Sequence, residues 1–152
     1  MTGKKLIDVY PYKIIEDSPL FLLLKRAGGK IYQGQWRMIG GKVKENETYW
    51  QAAGRELKEE TNFNPQKFWS VPTVNHFYEA SSDQILIIPA FGAEVVSDKI
   101  PVLDDEHIDF KWIAAKDVKS HIIWPEQIRI IHLIHDLIVN RQILDEWIIS
   151  TD

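Results

Sequence analysis

Residues 41–63 read GKVKENETYWQAAGRELKEETNF. The second half of this stretch carries the punctuation of a helix. Thr48 followed by Gln51 makes a capping box, in which the hydroxyl and the amide each satisfy one N–H that the first turn leaves unpaired. Trp50, Ala53 and Leu57 stand at i, i+3 and i+7, an apolar stripe for packing against a core. Asn62 stands where the last turn needs a left-handed residue, a conformation that Asn tolerates. Gly54, inside the helix, costs roughly 1 kcal/mol against Ala, and is read as a position of close packing. At about 100° per residue, with Glu56 at zero, Glu59 lies near 300° and Glu60 near 40°. The three carboxylates therefore share one face with Tyr49 and Ala52, while the Trp50 stripe turns away. An acidic run such as this is ordinarily a solvated helix face. Crowded like charges are nevertheless unfavourable, and Arg55, four residues before Glu59, brings a single guanidinium. A hard divalent cation is the natural complement. Mg²⁺ suits an all-oxygen ligand set best, with Mn²⁺ as the alternate ion.

Working outward, Leu6 to Glu16 reads as a strand interrupted by Pro11, and Leu20 to Lys25 (LFLLLK) as a second, buried one. Ala27-Gly28-Gly29-Lys30 is a turn, and Trp36 to Ile39 a short strand ending at Gly40-Gly41. Lys67 to Glu79 and Gln84 to Val96 read as two strands joined through residues 80–83. An acidic loop at 104–107 precedes a strand at Ile108 to Ile113. From Pro125 onward the spacing of Ile128, Ile131, Ile134 and Leu137 predicts a long helix, or two helices broken near Asn140. Strands, helix, strands, helix: the order predicts an α/β sandwich built on a mixed sheet.

The whole chain, 1–152, is read as one domain, since 152 residues suit a single core. Apolar residues make up 45% and charged residues 26%, which excludes disorder for most of the length. A net charge of −4 argues against a nucleic-acid polymer as partner. The chain has no cysteine, which removes thiolate nucleophiles, disulfides and Cys-rich zinc sites. His107, His121, His132 and His135 show no trustworthy metal spacing. No long apolar run suggests a membrane span or secretory signal, and the expected location is cytoplasmic. The strand Leu6 to Glu16 and the final helix each offer a face for a homodimer.

Gly41, Glu47, Arg55, Glu56, Leu57, Glu59 and Glu60 together match the Nudix box, in which Gly, five residues, Glu and seven residues precede Arg-Glu-apolar-any-Glu-Glu. The resemblance extends to Leu22-Leu23-Leu24-Lys25-Arg26, then Trp36 and Gly40-Gly41 ahead of the box, and to Glu106-His107 and Trp112 after it, covering roughly residues 5 to 140. One departure is Asn62, where the box has Gly. The resemblance implies an α/β/α sandwich, an enzyme that hydrolyses a diphosphate linkage, and a metal site built by Glu56, Glu59 and Glu60 with the Gly41 carbonyl. Glu47 would support the loop or join through water, and Arg55 would orient Glu59.

Such a hydrolase needs a base, and the candidates are Glu59 and Glu60 in the box and Glu106 in the later loop. The resemblance favours Glu106 or Glu59. It also needs cations for the phosphates, for which Arg26 stands first, then Arg37 and Lys42. A head group needs an apolar wall, with Trp36, Phe77, Tyr78 and Trp124 as candidates. Glu106-His107, Lys111-Trp112 and Trp124 before a long helix are laid out most like the dATP and dihydroneopterin triphosphate pyrophosphohydrolases. The expected products are a monophosphate and pyrophosphate. The alternatives are an ADP-ribose or dinucleoside polyphosphate hydrolase, a non-catalytic nucleotide-binding module, and a structural domain with a merely solvated acidic helix.

Overall fold

The computed structural model describes residues 3–30 and 32–150. β1 (Leu6–Ile15) and β2 (Ser18–Arg26) form a hairpin whose pairing runs from Ile15↔Ser18 to Tyr12↔Phe21. Beyond that point the two strands separate, and the segment 36–42 fills the fork. β3 (Trp36–Arg37) pairs with β2, and β4 (Ile39–Lys42) pairs with β1. Helix α1 (Tyr49–Thr61) follows. β5 (Lys67–Glu79) and β6 (Gln84–Glu94) make the long hairpin that residues 80–83 predict, and β6 lies parallel to β1. β7 (His107–Ala114) pairs with the other edge of β2. A 3-10 helix, Ala115–Ser120, leads to α2 (Pro125–Val139), which ends where Asn140 was expected to break it. The parallel β1–β6 pair makes the sheet mixed, as the α/β reading requires.

Side chains alternate across the pleat, so each central strand feeds two cores. Ile7, Val9, Leu22 and Leu24 pack with Ala52, Ala53 and Leu57 of α1. Tyr10, Tyr12, Phe21 and Leu23 pack with Ile130, Ile131 and Ile134 of α2. The result is helix, sheet, helix. Full burial of Leu57 contributes roughly 2 kcal/mol. Both features predicted for α1 are present. Thr48 and Gln51 exchange both capping-box bonds, and Asn62 closes the helix at φ 64°.

Two expectations are corrected. The buried stripe of α1 is Ala52, Ala53, Leu57, Glu60 and Thr61 rather than one running through Trp50, which is 37% exposed. Ala52 therefore leaves the carboxylate face for the core and takes Glu60 with it. The second correction concerns Gly54, read as a close approach: beyond its own helix backbone, no described residue lies within 4 Å of where its Cβ would stand. β1 is an interior strand, flanked by β6 on one side and by β2 and β4 on the other. Among the described residues, no helix is long and apolar enough to cross a membrane.

Candidate active site

The fork between β1 and β2 sets the site. Its wedge, β4, runs over the face of α1 and places Gly41 directly against Glu56. A Cβ at Gly41 would run into the Glu56 carboxyl group, so this position accepts only glycine without a shift. Arg55 ties the loop to the helix. Its Nε donates to Glu47 Oε2 at 2.8 Å and its Nη2 to Glu47 Oε1 at 3.0 Å, a bidentate pair. Nη2 also donates to the Lys42 carbonyl at 2.8 Å, and Nη1 to Glu56 Oε1 at 2.9 Å. Its contact with Glu59, the one expected from sequence, is the longest at 3.3 Å. Arg55 thus serves Glu47 and Glu56 before Glu59. Glu47 supports the loop, as expected: Oε1 accepts from Lys44 N, and the Arg55 guanidinium with this backbone bond holds its carboxyl down at about 2.

Glu60 has an unusual setting. It is 2% exposed, and burial pushes its carboxyl far up, to about 10, with Glu56, Asp104 and Glu106 pushing the same way. Glu60 Oε1 lies 3.5 Å from His107 Nε2, while His107 Nδ1 lies 2.9 Å from Asp104 Oδ1. Glu60 Oε2 is buried without a hydrogen-bond partner among the described residues. Ligand atoms of Glu60, Asp104 and His107 all lie within 4.8 Å of one another. A buried, crowded carboxylate with an orphaned oxygen suits a divalent cation, whose charge would reverse each of these penalties. The donors present, carboxylates with Gly41 packed against Glu56, fit a hard ion such as Mg²⁺.

One cleft of about 440 Å³ runs from these acids across the sheet. Glu56, Glu60, Gly41, Lys42, Arg26 and Glu106 line its acidic end. Glu106 Oε2 lies 4.0 Å from Arg26 Nη1, and the Glu106 carbonyl accepts from Ala27 N, which pins the later loop to the end of β2. Glu59 is the outermost acid of α1, with its side chain half exposed.

The opposite end is aromatic. The Trp124 ring packs edge-on to Tyr32 at 5.1 Å and tilted to Phe77 at 6.0 Å, and its Nε1 donates to Gln35 at 3.0 Å. Arg37 lies over Tyr32 at 4.4 Å and Trp124 at 5.0 Å, and its charge also acts on the carboxyl groups of Asp8 and Glu60. Trp36 lies elsewhere. It packs on the α2-side core, with Lys25 and Lys111 over its ring. Being one residue from Arg37 on a strand, it points to the opposite side. Tyr78 is 59% exposed and bonds to Asp83.

Sequence reasoning missed Tyr32, Asp8, Asn75 and Asp104. Tyr32 stands in a glycine-rich loop at φ 62°, with no periodicity to mark it. Asp8 did carry a signal, as a lone acid in a strand otherwise buried on both faces.

Comparison with known proteins agrees with this geometry. The NUDIX domain family model matches residues 12–134. Over 116 residues the chain is 26% identical to nucleoside triphosphatase NudI of Klebsiella pneumoniae, covering 71% of this chain and 82% of that protein. Among solved structures, a C. elegans Ap4A hydrolase superposes with a TM-score of 0.75 at 20% identity, covering 91% of this chain and 99% of that one. The E. coli dihydroneopterin triphosphate pyrophosphohydrolase superposes at 0.71 and 20% identity, covering 89% and 98%. The family match begins in β1, takes in the whole carboxylate helix and ends within α2, and the chain accordingly belongs to the Nudix family of hydrolases.

Proposed function

We propose that the protein hydrolyses a diphosphate linkage of a nucleoside triphosphate-like substrate, a (d)NTP or dihydroneopterin triphosphate, to the monophosphate and pyrophosphate. The observation that carries this reading is the two-ended cleft. Carboxylates and Arg26 stand at one end and stacked aromatics at the other, joined without a wall between them. An aromatic end offers a planar ring a stacking surface, and the acidic end offers a phosphate chain a metal site.

Glu56, Glu59 and Glu60 with the Gly41 carbonyl would hold Mg²⁺, and Mn²⁺ would fit the same donors. When bound, the ion supplies neutralising charge for the phosphates and acidifies a water. The chain's own groups do the rest. Arg26 and Lys42 hold phosphate oxygens. Glu106, which faces the cleft, takes the proton of the attacking water, in preference to the outward-lying Glu59. The water oxygen bonds to phosphorus, the bridging P–O bond breaks, and pyrophosphate leaves with the bridging electrons. Arg55 holds Glu47 and Glu56 in place, while His107 and Asp104 fix Glu60.

The test is pyrophosphate and phosphate release from (d)NTPs, dihydroneopterin triphosphate, ADP-ribose and dinucleoside polyphosphates, with and without Mg²⁺. The expected result is Mg²⁺-dependent pyrophosphate release from a triphosphate, collapsing in Glu106→Gln. Turnover confined to ADP-ribose or dinucleoside polyphosphates would replace the substrate class. Binding without any turnover would make the chain a nucleotide-binding module.

A further inference from the structure

At the aromatic end of the cleft the floor is polar. Asp8 is 5% exposed and Asn75 6%, and both line the cleft with Tyr32, Phe77 and Trp124. They arrive from β1 and β5, strands that do not pair, and meet because β6 lies between them. Asn75 Nδ2 donates to Asp8 Oδ2 at 2.8 Å, and the Tyr10 hydroxyl donates to the same oxygen at 3.4 Å. Because a carboxylate only accepts, this bond also fixes which end of the Asn75 amide is the nitrogen.

Both bonds to Asp8 end on Oδ2. Oδ1 receives no protein donor among the described residues, and neither it nor the Asn75 carbonyl oxygen is sealed from the cleft. Arg37 is close enough to favour the ionised form of Asp8. A buried carboxylate with an open oxygen needs an N–H donor, or it carries its full desolvation penalty. Ring edges differ in what they bring. Guanine offers two adjacent donors, N1–H and the 2-amino group, beside the O6 acceptor. Pterins repeat that order in their 2-amino-4-oxo ring. Adenine and cytosine each set a lone-pair nitrogen beside their amino group, which a carboxylate repels. Thymine has one N–H between two carbonyls.

We propose that Asp8, seated on Asn75, is a specificity-determining residue of this cleft and selects head groups with the 2-amino-4-oxo-pyrimidine edge shared by guanine and pterins. This rests on the reading above that the aromatic end holds the head group. The open Oδ1 of Asp8 would accept from one ring N–H, the second donor would lie beside the carboxylate where other rings set a repelling lone pair, and the ring carbonyl would suit the free N–H of Asn75 or the Arg37 guanidinium. The aromatic wall accepts any flat ring, so it is Asp8 that tells rings apart. The carboxylate end takes no part in the choice.

The experiment has two arms. In the first, kcat/KM is measured for dGTP, dihydroneopterin triphosphate, dATP, dCTP and dTTP with wild type and Asp8→Asn. Wild type should favour dGTP or dihydroneopterin triphosphate over dATP by at least about tenfold, the scale of one well-made ring-edge pair. In Asp8→Asn that ratio should fall by about the same factor, since an amide presents both a donor and an acceptor. Which of the two favoured substrates leads tells nucleotide from pterin. A preference for adenine or a pyrimidine, or a ratio that Asp8→Asn leaves unmoved, overturns the proposal. The second arm needs neither metal nor phosphate: quenching of tryptophan fluorescence by guanosine, neopterin, adenosine and thymidine. Selective binding of guanosine or neopterin that is lost in Asp8→Asn supports the proposal even where no triphosphate is turned over, which would sink the hydrolase assignment alone. Equal binding of all four, or binding of none, overturns it. Asp8→Asn is nearly isosteric, and a thermal melt checks its fold. Asn75→Asp, which adds a second acceptor and removes the donor to Asp8, should likewise change the ratio between head groups.

Discussion

The two ends of the cleft are built by opposite strategies. The acidic end is largely local: Gly41, Glu47, Arg55, Glu56, Glu59 and Glu60 lie within one strand–loop–helix segment tied by one guanidinium, and Arg26 of β2 and the loop at 104–107 join it from elsewhere. The aromatic end is assembled from afar, with Asp8 on β1, Tyr32 in the loop before β3, Asn75 and Phe77 on β5 and Trp124 at the head of α2. One end concentrates like charge and needs a cation, while the other buries a single acid among rings and needs a donor. Chemistry common to all substrates can be encoded in a short motif. Recognition of a particular head group depends on how distant elements meet.

The sharpest break between the two ends should come from Glu56→Gln. Removing a carboxylate from the proposed metal site should lower kcat/KM by about 10³-fold for every substrate alike, several kcal/mol of lost charge stabilisation. It should also abolish the rise in melting temperature expected for wild type with Mg²⁺. Steady-state kinetics and melts with and without the ion check both.

The next effect is on stability and belongs to the aromatic end. Burial lifts Asp8 from 3.8 to about 6, against the opposing pull of Asn75, Arg37 and Tyr10. Because the folded pKa is the higher one, stability from this group is present below about pH 4 and is lost as pH rises through about 6. A shift of this size corresponds to about 3 kcal/mol at most. Asp8→Asn should therefore be more stable relative to wild type at pH 8 than at pH 4, by urea melts at the two pH values. A pH-independent difference would mean that Asp8 is not desolvated.

Arg55→Lys keeps the charge but loses the fork that grips Glu47 and Lys42. A loss of about 10- to 100-fold in metal affinity or activity is expected, the scale of supporting residues around metal ligands. The loss should be read in the apparent Mg²⁺ constant. Trp124→Ala should act at the other end, raising KM by about tenfold for lack of a stacking partner, with kcat less affected. If Trp124→Ala lowered kcat and left KM alone, the head group would not lie where the aromatic wall is.

Most elements were legible from local pattern, since capping, periodicity and turn residues act within a few positions. Thr48, Gln51 and Asn62 do what their chemistry predicts, and the helix ends there. The acidic end was legible for the same reason: spacing on one helix fixes which carboxylates share a face. The helix's exact rotation was not. It was settled by Glu60 entering the core and Trp50 leaving it, a balance between His107, Asp104 and the sheet. Arg55 does reach Glu59, its expected i+4 neighbour, at 3.3 Å, but its shorter bonds go to Glu47, because a bidentate fork held against a loop outweighs an exposed pair along the helix.

The sequence by itself determined that this chain carries a carboxylate helix behind a glycine turn, within an α/β frame of the Nudix kind. Those features depend on neighbours a few residues apart, where backbone geometry leaves little choice. Only the tertiary structure decided what faces that helix across the cleft. It brought His107 to Glu60, moved Trp36 to the core, set Tyr32 beside Trp124, and lowered Asp8 onto Asn75. Those meetings depend on the forked strands and on the parallel β1–β6 pair, contacts made across long stretches of chain that no local spacing records.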